Sequence, residues 1–306
     1  MRFTYKNGGP VDCSKPIDLA KLKGKTAIVT GGSSGLGEAM VKDFADAGAF
    51  VVIADLHPPS KQPTPDNVLF VKCDCMSWEE QHEAFKTAIA KGPNNRIDYV
   101  VTSAGISGSD LFHELDPEKE PVKPNMKILE INLLGTVYTS KLALHYFNKQ
   151  GPGMEQCLIL VSSIMGFLNT NGSPTYSASK FGVRGLMCCL RRFGVGRVNL
   201  IAPWFIATPL MTEAVRNHLR KDMQGQGTDF ATTEDCAKCV MRIASDDSIN
   251  GRSLFITPHS IAPEGFMDLD LDDYKEGSLL ANLQNITGNF THRRMPAHLQ
   301  KTAASL

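Results

Sequence analysis

Seven short, nearly continuous apolar runs punctuate the chain between residues 25 and 258. They are "KTAIVT" (25–30), "FVVIADL" (50–56), "VLFVKCD" (68–74), "IDYVVTSAG" (97–105), "CLILVSS" (157–163), "RVNLIAP" (197–203) and "RSLFITP" (252–258). Val, Ile and Leu at successive positions, without polar alternation, are what a strand covered on both faces requires. Between the runs, "GLGEAMVKDFADAGA", "EEQHEAFKTAIAK", "MKILEINLLGTVYTSKLALHYFNK" and "YSASKFGVRGLMCCLRRF" carry apolar residues at helical spacing. Strand and helix in repeated succession predict an α/β fold, a doubly wound parallel sheet of about seven strands. Residues 1–23 read as a leader, 24–258 as the folded domain, and 259–306 as an extension with little strand character. Its polar end, "THRRMPAHLQKTAASL", is expected to be mobile. One domain with tails is the simplest organisation.

Composition narrows the partners. Apolar residues make up 42% and charged residues 21%, ordinary values for a globular protein. Lys+Arg and Asp+Glu balance at 32 each, so no electrostatic footprint favours nucleic acid or an anionic membrane. The N-terminal "MRFTYKNGGPVDCSKPID" is too polar for a signal peptide. The longest apolar run, "CLILVSSIMGFL", is about half of the roughly 20 residues a spanning helix needs. A cytoplasmic protein is expected. The eight cysteines are expected to be buried and reduced. Cys236 and Cys239 form a C-x-x-C, but no second pair at a fixed separation completes a zinc set. The acidic run "DLDLDDYKEG" fails as a calcium loop: Asp273 stands where the turn needs glycine, and Leu279 where the bidentate glutamate belongs. No metal is expected.

The first strand runs into "TGGSSGLGEAM", where Gly31, Gly35 and Gly37 lead straight into a helix. Such a turn lets backbone approach a pyrophosphate and aims helix N–H groups at it. It is not a P-loop, because no Gly-Lys-Ser/Thr follows. Asp55, ending the second strand, is placed to accept hydrogen bonds from an adenosine ribose. It would repel a 2′-phosphate, and neither Ser33, Ser34 nor Leu56 supplies a cation to compensate, so NAD is favoured over NADP. Asp74, closing the third strand, could take the adenine amino group, or could simply be a turn acid.

A first-turn T-G-x-x-x-G-x-G (Thr30 to Gly37) joined to a later Y-x-x-x-K (Tyr176 to Lys180) resembles the short-chain dehydrogenase/reductase family. "TSAG" at 102–105, Asn132 in a long helix, "VSS" at 161–163 and "RVNLIAPWFIATPL" at 197–210 follow in the family's order. The resemblance covers residues 22 to 258 and implies a Rossmann fold. "APWFIATPL" and the tail "APEGFMDLDLDDYKEGSLL" look most like its 15-hydroxyprostaglandin-dehydrogenase-like branch, which has fungal secondary-metabolism members. It implies hydride transfer between a nicotinamide and an alcohol or carbonyl carbon. An alcohol losing hydride must also lose a proton, so a base is required. Tyr176 would be that base, although a free tyrosine titrates near pH 10; Lys180, one helical turn on, would favour its phenolate. By resemblance Lys180 also holds the nicotinamide ribose, Ser163 bonds the substrate oxygen, and Asn132 holds a water linking the lysine to solvent. Gly31, Ser33, Ser34, Gly35, Leu36, Gly37, Asp55, Leu56, Asp74, Ser103, Ala104, Gly105, Tyr176, Lys180, Pro203, Ile206 and Thr208 would line the cofactor. The last two match positions on the carboxamide.

Three features depart from the family pattern. Ser103 stands where asparagine usually braces the central strands, so that bracing must come from elsewhere. Trp204 replaces the usual glycine after Pro203 and would shape a substrate pocket. The stretch from Tyr176 to Asn199 is a few residues short, so the "RRFGVG" turn must be tight or distorted. The expected substrate is a small lipophilic secondary alcohol or its ketone. Trp204, Phe205 and Met211 would line one wall under a lid spanning "WFIATPLMTEAVRNHLRKDM", and His113 the other wall. A homodimer or homotetramer built on the long helices is expected. Two alternatives stay open: a non-redox cyclase or isomerase using Tyr and Ser for acid–base work alone, and a nucleotide-binding regulatory protein without turnover.

Overall fold

The apolar runs become strands because burial on both faces leaves little room for a polar side chain to reach water; the edge strand, from the run at 68–74, is partly open, with Lys72 exposed. In the computed structural model, which describes residues 5–60, 64–151, 155–169 and 172–291, the parallel strands are β1 (Thr26–Thr30), β2 (Phe50–Asp55), β3 (Val68–Lys72), β4 (Tyr99–Thr102), β5 (Cys157–Val161), β6 (Arg197–Pro203) and β7 (Ser253–Ile256). An eighth, β8 (Phe266–Asp268), pairs antiparallel with β7. It lies in the stretch expected to have little strand character. The observed order is β3-β2-β1-β4-β5-β6-β7-β8, so the direction of winding reverses between β1 and β4.

The helices are α1 (Gly35–Asp46), α2 (Trp78–Lys91), α3 (Lys127–Leu129), α4 (Thr136–Lys149), α5 (Pro174–Leu190), α6 (Glu213–Gly225), α7 (Thr233–Ser245) and α8 (Leu279–Thr291). One core cluster joins the sheet to Met40, Val41 and Phe44 of α1 and to Val240, Met241 and Ile243 of α7. The other joins it to Phe85 of α2, Leu142 and Phe147 of α4, and Val183 and Met187 of α5. Both sheet faces are therefore covered, which is why the strands lack polar alternation. The long helix predicted over 126–149 is interrupted: Glu130–Gly135, between α3 and α4, is a π turn.

The compact unit that contains the sheet runs to Leu269, and residues from Asp270 form a second unit. Within that second unit, Ser278 caps the start of α8 through the Ala281 N–H. The expectation of a mobile C-terminal end falls on residues 292–306, outside the described residues. All eight cysteines are free, but the expectation that they are buried fails for four: Cys189 is exposed and Cys13, Cys75 and Cys188 are half-buried.

The shortened stretch before β6 is accommodated by a tight turn. α5 ends at Leu190, and Gly194 (φ 66°) and Gly196 (φ 149°) take backbone angles that side chains disfavour. Two arginines bracket the turn from inside. Arg191 donates to the Gly251 carbonyl (2.7 Å). Arg197 donates to the carbonyls of Ile243 (2.8 Å), Ile249 (2.9 Å) and Ala244 (3.4 Å). Carbonyls in the last turn of α7 have no intrahelical partner, and the guanidinium fork supplies one.

Candidate active site

β1 hands its last residue, Thr30, to a turn whose glycines are fixed by contact. Gly31 has φ +65°, and a methyl there would sit 2.6 Å from the Cα of Ala104. A methyl on Gly37 would run into the Gly31 carbonyl. The turn after β1 and the loop after β4 thus meet backbone to backbone where the strand order reverses, which is where open α/β sheets bind ligands. The N-terminus of α1 is left open: Ser34 makes no side-chain capping bond. By contrast Ser77, Ser173, Thr212 and Thr232 cap α2, α5, α6 and α7. First-turn N–H groups that no side chain caps suit a phosphate.

Asp55 closes β2 with its carboxylate turned to this loop. It accepts the Ser33 N–H (3.0 Å) and the His57 N–H (3.2 Å), while the Ser33 hydroxyl donates to the His57 carbonyl (2.6 Å). Leu56 beside it is exposed. The Asp74 carboxylate takes the Met76 N–H (2.8 Å), the turn-acid geometry, and remains partly accessible. Thr208 sits against the same loop, its Cβ 3.5 Å from where a Gly35 side chain would begin. Ile206 is buried and bridges to Ala231. The bracing that Ser103 is too short to provide comes from two threonines. Thr30 Oγ1 accepts the Ala104 N–H (3.3 Å), and Thr102 Oγ1 accepts the Val161 N–H (3.3 Å).

The C-terminal ends of β4, β5 and β6 bring the four predicted catalytic residues together. Ser163 follows β5, accepts the Met165 N–H (3.2 Å) and lies 3.5 Å from the Pro203 carbonyl. Ser173 caps α5 and Pro174 occupies its first turn, where a missing N–H costs nothing. Tyr176 and Lys180 then stand one turn apart. Lys180 is buried, donates to the Val161 carbonyl (3.2 Å), and holds Nζ 5.5 Å from the Tyr176 ring centroid. Asn132 lies in the π turn. Its amide grips the backbone of Ile106 from both ends, accepting the N–H (2.8 Å) and donating to the C=O (2.9 Å). Around Gly105, Asn132 Oδ1 and Lys180 Nζ converge within 3.2 and 3.9 Å of a built methyl, so any side chain at Gly105 would enter this space.

Electrostatics add a difference from expectation. Burial draws Lys180 down to about 8. Tyr176 moves upward, because burial outweighs the hydrogen bond with Ser163 that favours its phenolate. Lys180, with Nζ 5.5 Å from the ring centroid, does not offset this in the free protein.

The expected pocket residues are more scattered. Trp204 packs edge-on to Phe205 (5.1 Å) and Phe255 (6.2 Å) and rests against the core beneath α1 and α7. His113 is exposed on the loop after β4, and Met211 is half-buried after β6. That loop and the segment after β6 do touch, through the Ser107 hydroxyl and the Leu210 carbonyl (3.3 Å). Exposed apolar side chains occur on both: Phe112 and Leu115 on the first, Leu210 and Val215 on the second.

Asp110 and Ser173 were missed by sequence reasoning. The Asp110 carboxylate reaches the first turn of α5 from the loop after β4. Ser173-Pro174 signals a helix start, but nothing in "GSD" signals its partner.

The short chain dehydrogenase family model matches residues 25–219. The chain is 39% identical to a 5'-hydroxyaverantin dehydrogenase of Dothistroma septosporum, over 85% of this chain and 91% of that one. It is 35% identical to the 5'-hydroxyaverantin dehydrogenase stcG of Emericella nidulans, over 88% and 93%. A relative from a Phoma species named NADP-dependent dehydrogenase M3 shares 32% identity, over 84% and 81%. Among solved structures, gox2181 is similar at a TM-score of 0.63 with 25% identity, covering 77% of this chain and 95% of that one. The ligand-free aldohexose dehydrogenase of Thermoplasma acidophilum has a TM-score of 0.65 at 21% identity, over 78% and 94%, and shares the fold.

Proposed function

The chain belongs to the short-chain dehydrogenase family and is an oxidoreductase, and from that premise we propose that it transfers hydride between NAD and a lipophilic secondary alcohol or its ketone. The observation that carries this reading is the convergence of Asn132, Ser163, Tyr176 and Lys180 beside the open N-terminus of α1.

A nicotinamide dinucleotide fits the residues present. The glycine turn has no room for side chains, the α1 N–H groups lack a side-chain cap, and Asp55 offers a carboxylate at the end of β2. When bound, the cofactor supplies the hydride acceptor or donor. In alcohol oxidation, the substrate hydroxyl lies between Ser163 and Tyr176. Ser163 donates a hydrogen bond to the oxygen as charge develops there. Tyr176 takes the hydroxyl proton as phenolate and returns it in the reverse direction. The lysine ammonium, below about pH 8, supplies the positive charge that lowers the cost of that phenolate once the site is closed. Asn132 fixes Ile106 and with it the start of the loop after β4.

NAD is supported over NADP by the Asp55 carboxylate, which a 2′-phosphate would meet as a like charge. Relatives named NADP-dependent make this choice a matter for experiment. The lipophilic class is supported by Phe112, Leu115, Leu210 and Val215, and by relatives named for dehydrogenating a hydroxylated compound. Phe205, Met211, Trp204 and His113 are proposed to complete the pocket. No helix among the described residues is long and apolar enough to cross a membrane. A cytoplasmic homodimer or homotetramer is part of the same reading, supported by Phe181 and Val137, which α5 and α4 leave exposed.

The test is a panel of hydrophobic secondary alcohols and ketones offered with NAD and with NADP, followed by nicotinamide absorbance. Turnover with NAD is expected. Turnover with NADP alone overturns the Asp55 argument, and product without any nicotinamide change replaces hydride transfer with a cyclase or isomerase.

A further inference from the structure

The loop after β4 is mostly exposed and irregular, yet one of its side chains is as buried as the core. Asp110 is 1% exposed. Its Oδ2 accepts three hydrogen bonds from the first turn of α5: the Ser173 hydroxyl (2.7 Å), the Thr175 N–H (2.8 Å) and the Thr175 hydroxyl (2.9 Å). Oδ1 faces the Phe112 N–H at 3.4 Å, and the Asp110 carbonyl accepts the Asn125 N–H (3.3 Å) just ahead of α3. One residue therefore ties the loop to the helix that carries Tyr176 and to the segment leading toward Asn132.

A carboxylate at a helix N-terminus is favoured by the dipole and by the open N–H groups there. That alone would be ordinary capping, but Ser173 already caps α5. The Ser173 Oγ accepts the Tyr176 N–H (3.3 Å). Because this hydroxyl spends its single proton on Asp110, its lone pairs are left for Tyr176. The carboxylate thus fixes the rotor of the group that holds the tyrosine backbone. The next residue, Leu111, is held at φ +68°, an angle a branched side chain adopts only where surrounding contacts enforce it. Burial works to raise the Asp110 carboxyl, but the hydrogen bonds from Thr175, Ser173 and Phe112 prevail and hold it down at about 2.

We propose that Asp110 is a positioning residue: it clamps the loop after β4 to the first turn of α5 and so fixes where the Tyr176 hydroxyl meets a bound alcohol. The proposal rests on the reading of Tyr176 as the proton-handling group. It does not depend on which alcohol is used.

Asp110→Ala, Asp110→Asn and Ser173→Ala separate positioning from general support. Asparagine keeps an acceptor for the α5 donors but loses the charge; alanine loses both. Asp110→Ala is expected to lower kcat/KM for the alcohol by about 10²-fold, the scale of a misplaced reacting group. Asparagine should restore part of that loss, and Ser173→Ala should reproduce part of it. Cofactor affinity, read by nicotinamide fluorescence, should stay at the parent value in all three. Amide hydrogen exchange should quicken in residues 106–126 and at Tyr176 while the sheet stays protected. Parent-like kcat/KM in Asp110→Ala overturns the proposal. So does a loss shared equally by cofactor affinity and sheet protection, which would mark Asp110 as general support. Should the parent oxidise no alcohol, the hydride-transfer reading fails by itself. Exchange then decides the clamp: faster exchange confined to 106–126 and Tyr176 upholds it, and unchanged exchange overturns it.

Discussion

Lys180 holds an ammonium in a place where burial disfavours charge, with its pKa drawn down to about 8 from 10.5. As pH rises from about 8 toward 10.5, the native state releases this proton before the unfolded chain does, so stability gains over that window. Below pH 8 both states are charged and the buried ammonium is a constant cost. A group kept against stability points to chemistry. Lys180→Met should therefore keep or raise Tm at neutral pH while activity falls by about 10²-fold or more. A Tm loss as severe as the activity loss would make the lysine a structural residue. Tyr176→Phe should lose about 10²–10⁴-fold in kcat with cofactor affinity unchanged. Asp55 offers a third residue-scale test. Asp55→Asn keeps acceptors for Ser33 and His57 but removes the negative charge, and should move the NAD-to-NADP preference toward NADP by about tenfold, or ~1.4 kcal/mol. An unmoved ratio would place the discrimination elsewhere.

At the scale of elements, the apolar runs identified β1 to β7 because double-sided burial leaves a pattern in the chain itself. The proposed catalytic quartet was legible through its resemblance to the family's order and spacing: Tyr176 and Lys180 are one helical turn apart in α5, and Ser163 follows β5. The π turn at Glu130–Gly135 left no such trace, since "EINLLG" satisfies an ordinary helical pattern. β8 is three residues long, too short to carry periodicity, and its pairing is decided by β7. The same limit hid Asp110, whose partners are distant in sequence. Its low pKa gives the clamp a pH signature. The folded carboxyl titrates at about 2 against 3.8 unperturbed, so its contribution is complete above about pH 4 and is lost as pH falls through 2. Acid unfolding of Asp110→Asn should lack this component, and coincident acid transitions for variant and parent would refute it. Arg197 poses the opposite case, a buried cation that serves packing. Arg197→Met would leave the α7 carbonyls of Ile243 and Ala244 without their donor, and should cost about 3 kcal/mol or more in urea unfolding.

Across the whole sheet-containing unit, the leader is a strap whose role composition did not disclose. The Tyr5 hydroxyl pairs with Arg191 (2.9 Å), and its ring lies 4.1 Å from the same guanidinium. Asn7 meets Arg252 (2.9 Å), the Val11 N–H meets Asp268 (2.8 Å), and the Asp12 carbonyl meets Arg242 (3.3 Å). The leader therefore touches the end of α5, the β7–β8 edge and α7 in turn. Arg191 also holds the Gly251 carbonyl, so the strap reaches the tight turn before β6. Its contact with α5 is at Arg191, past the C-terminal end of the helix whose N-terminal turn carries Tyr176, and its others are on α7 and the β7–β8 edge, so stability and turnover should separate. Tyr5→Ala removes a cation–π contact of about 1–2 kcal/mol when desolvated, together with one hydroxyl partner of Arg191. At about 2–4 °C per kcal/mol for a domain of 150–250 residues, Tm should fall by several degrees, and deletion of residues 1–12 should lower it further. In both variants kcat measured well below Tm should match the parent. A truncated chain with parental Tm would show the strap to be passive, and one that melts as before but turns over slowly would tie the leader to the site.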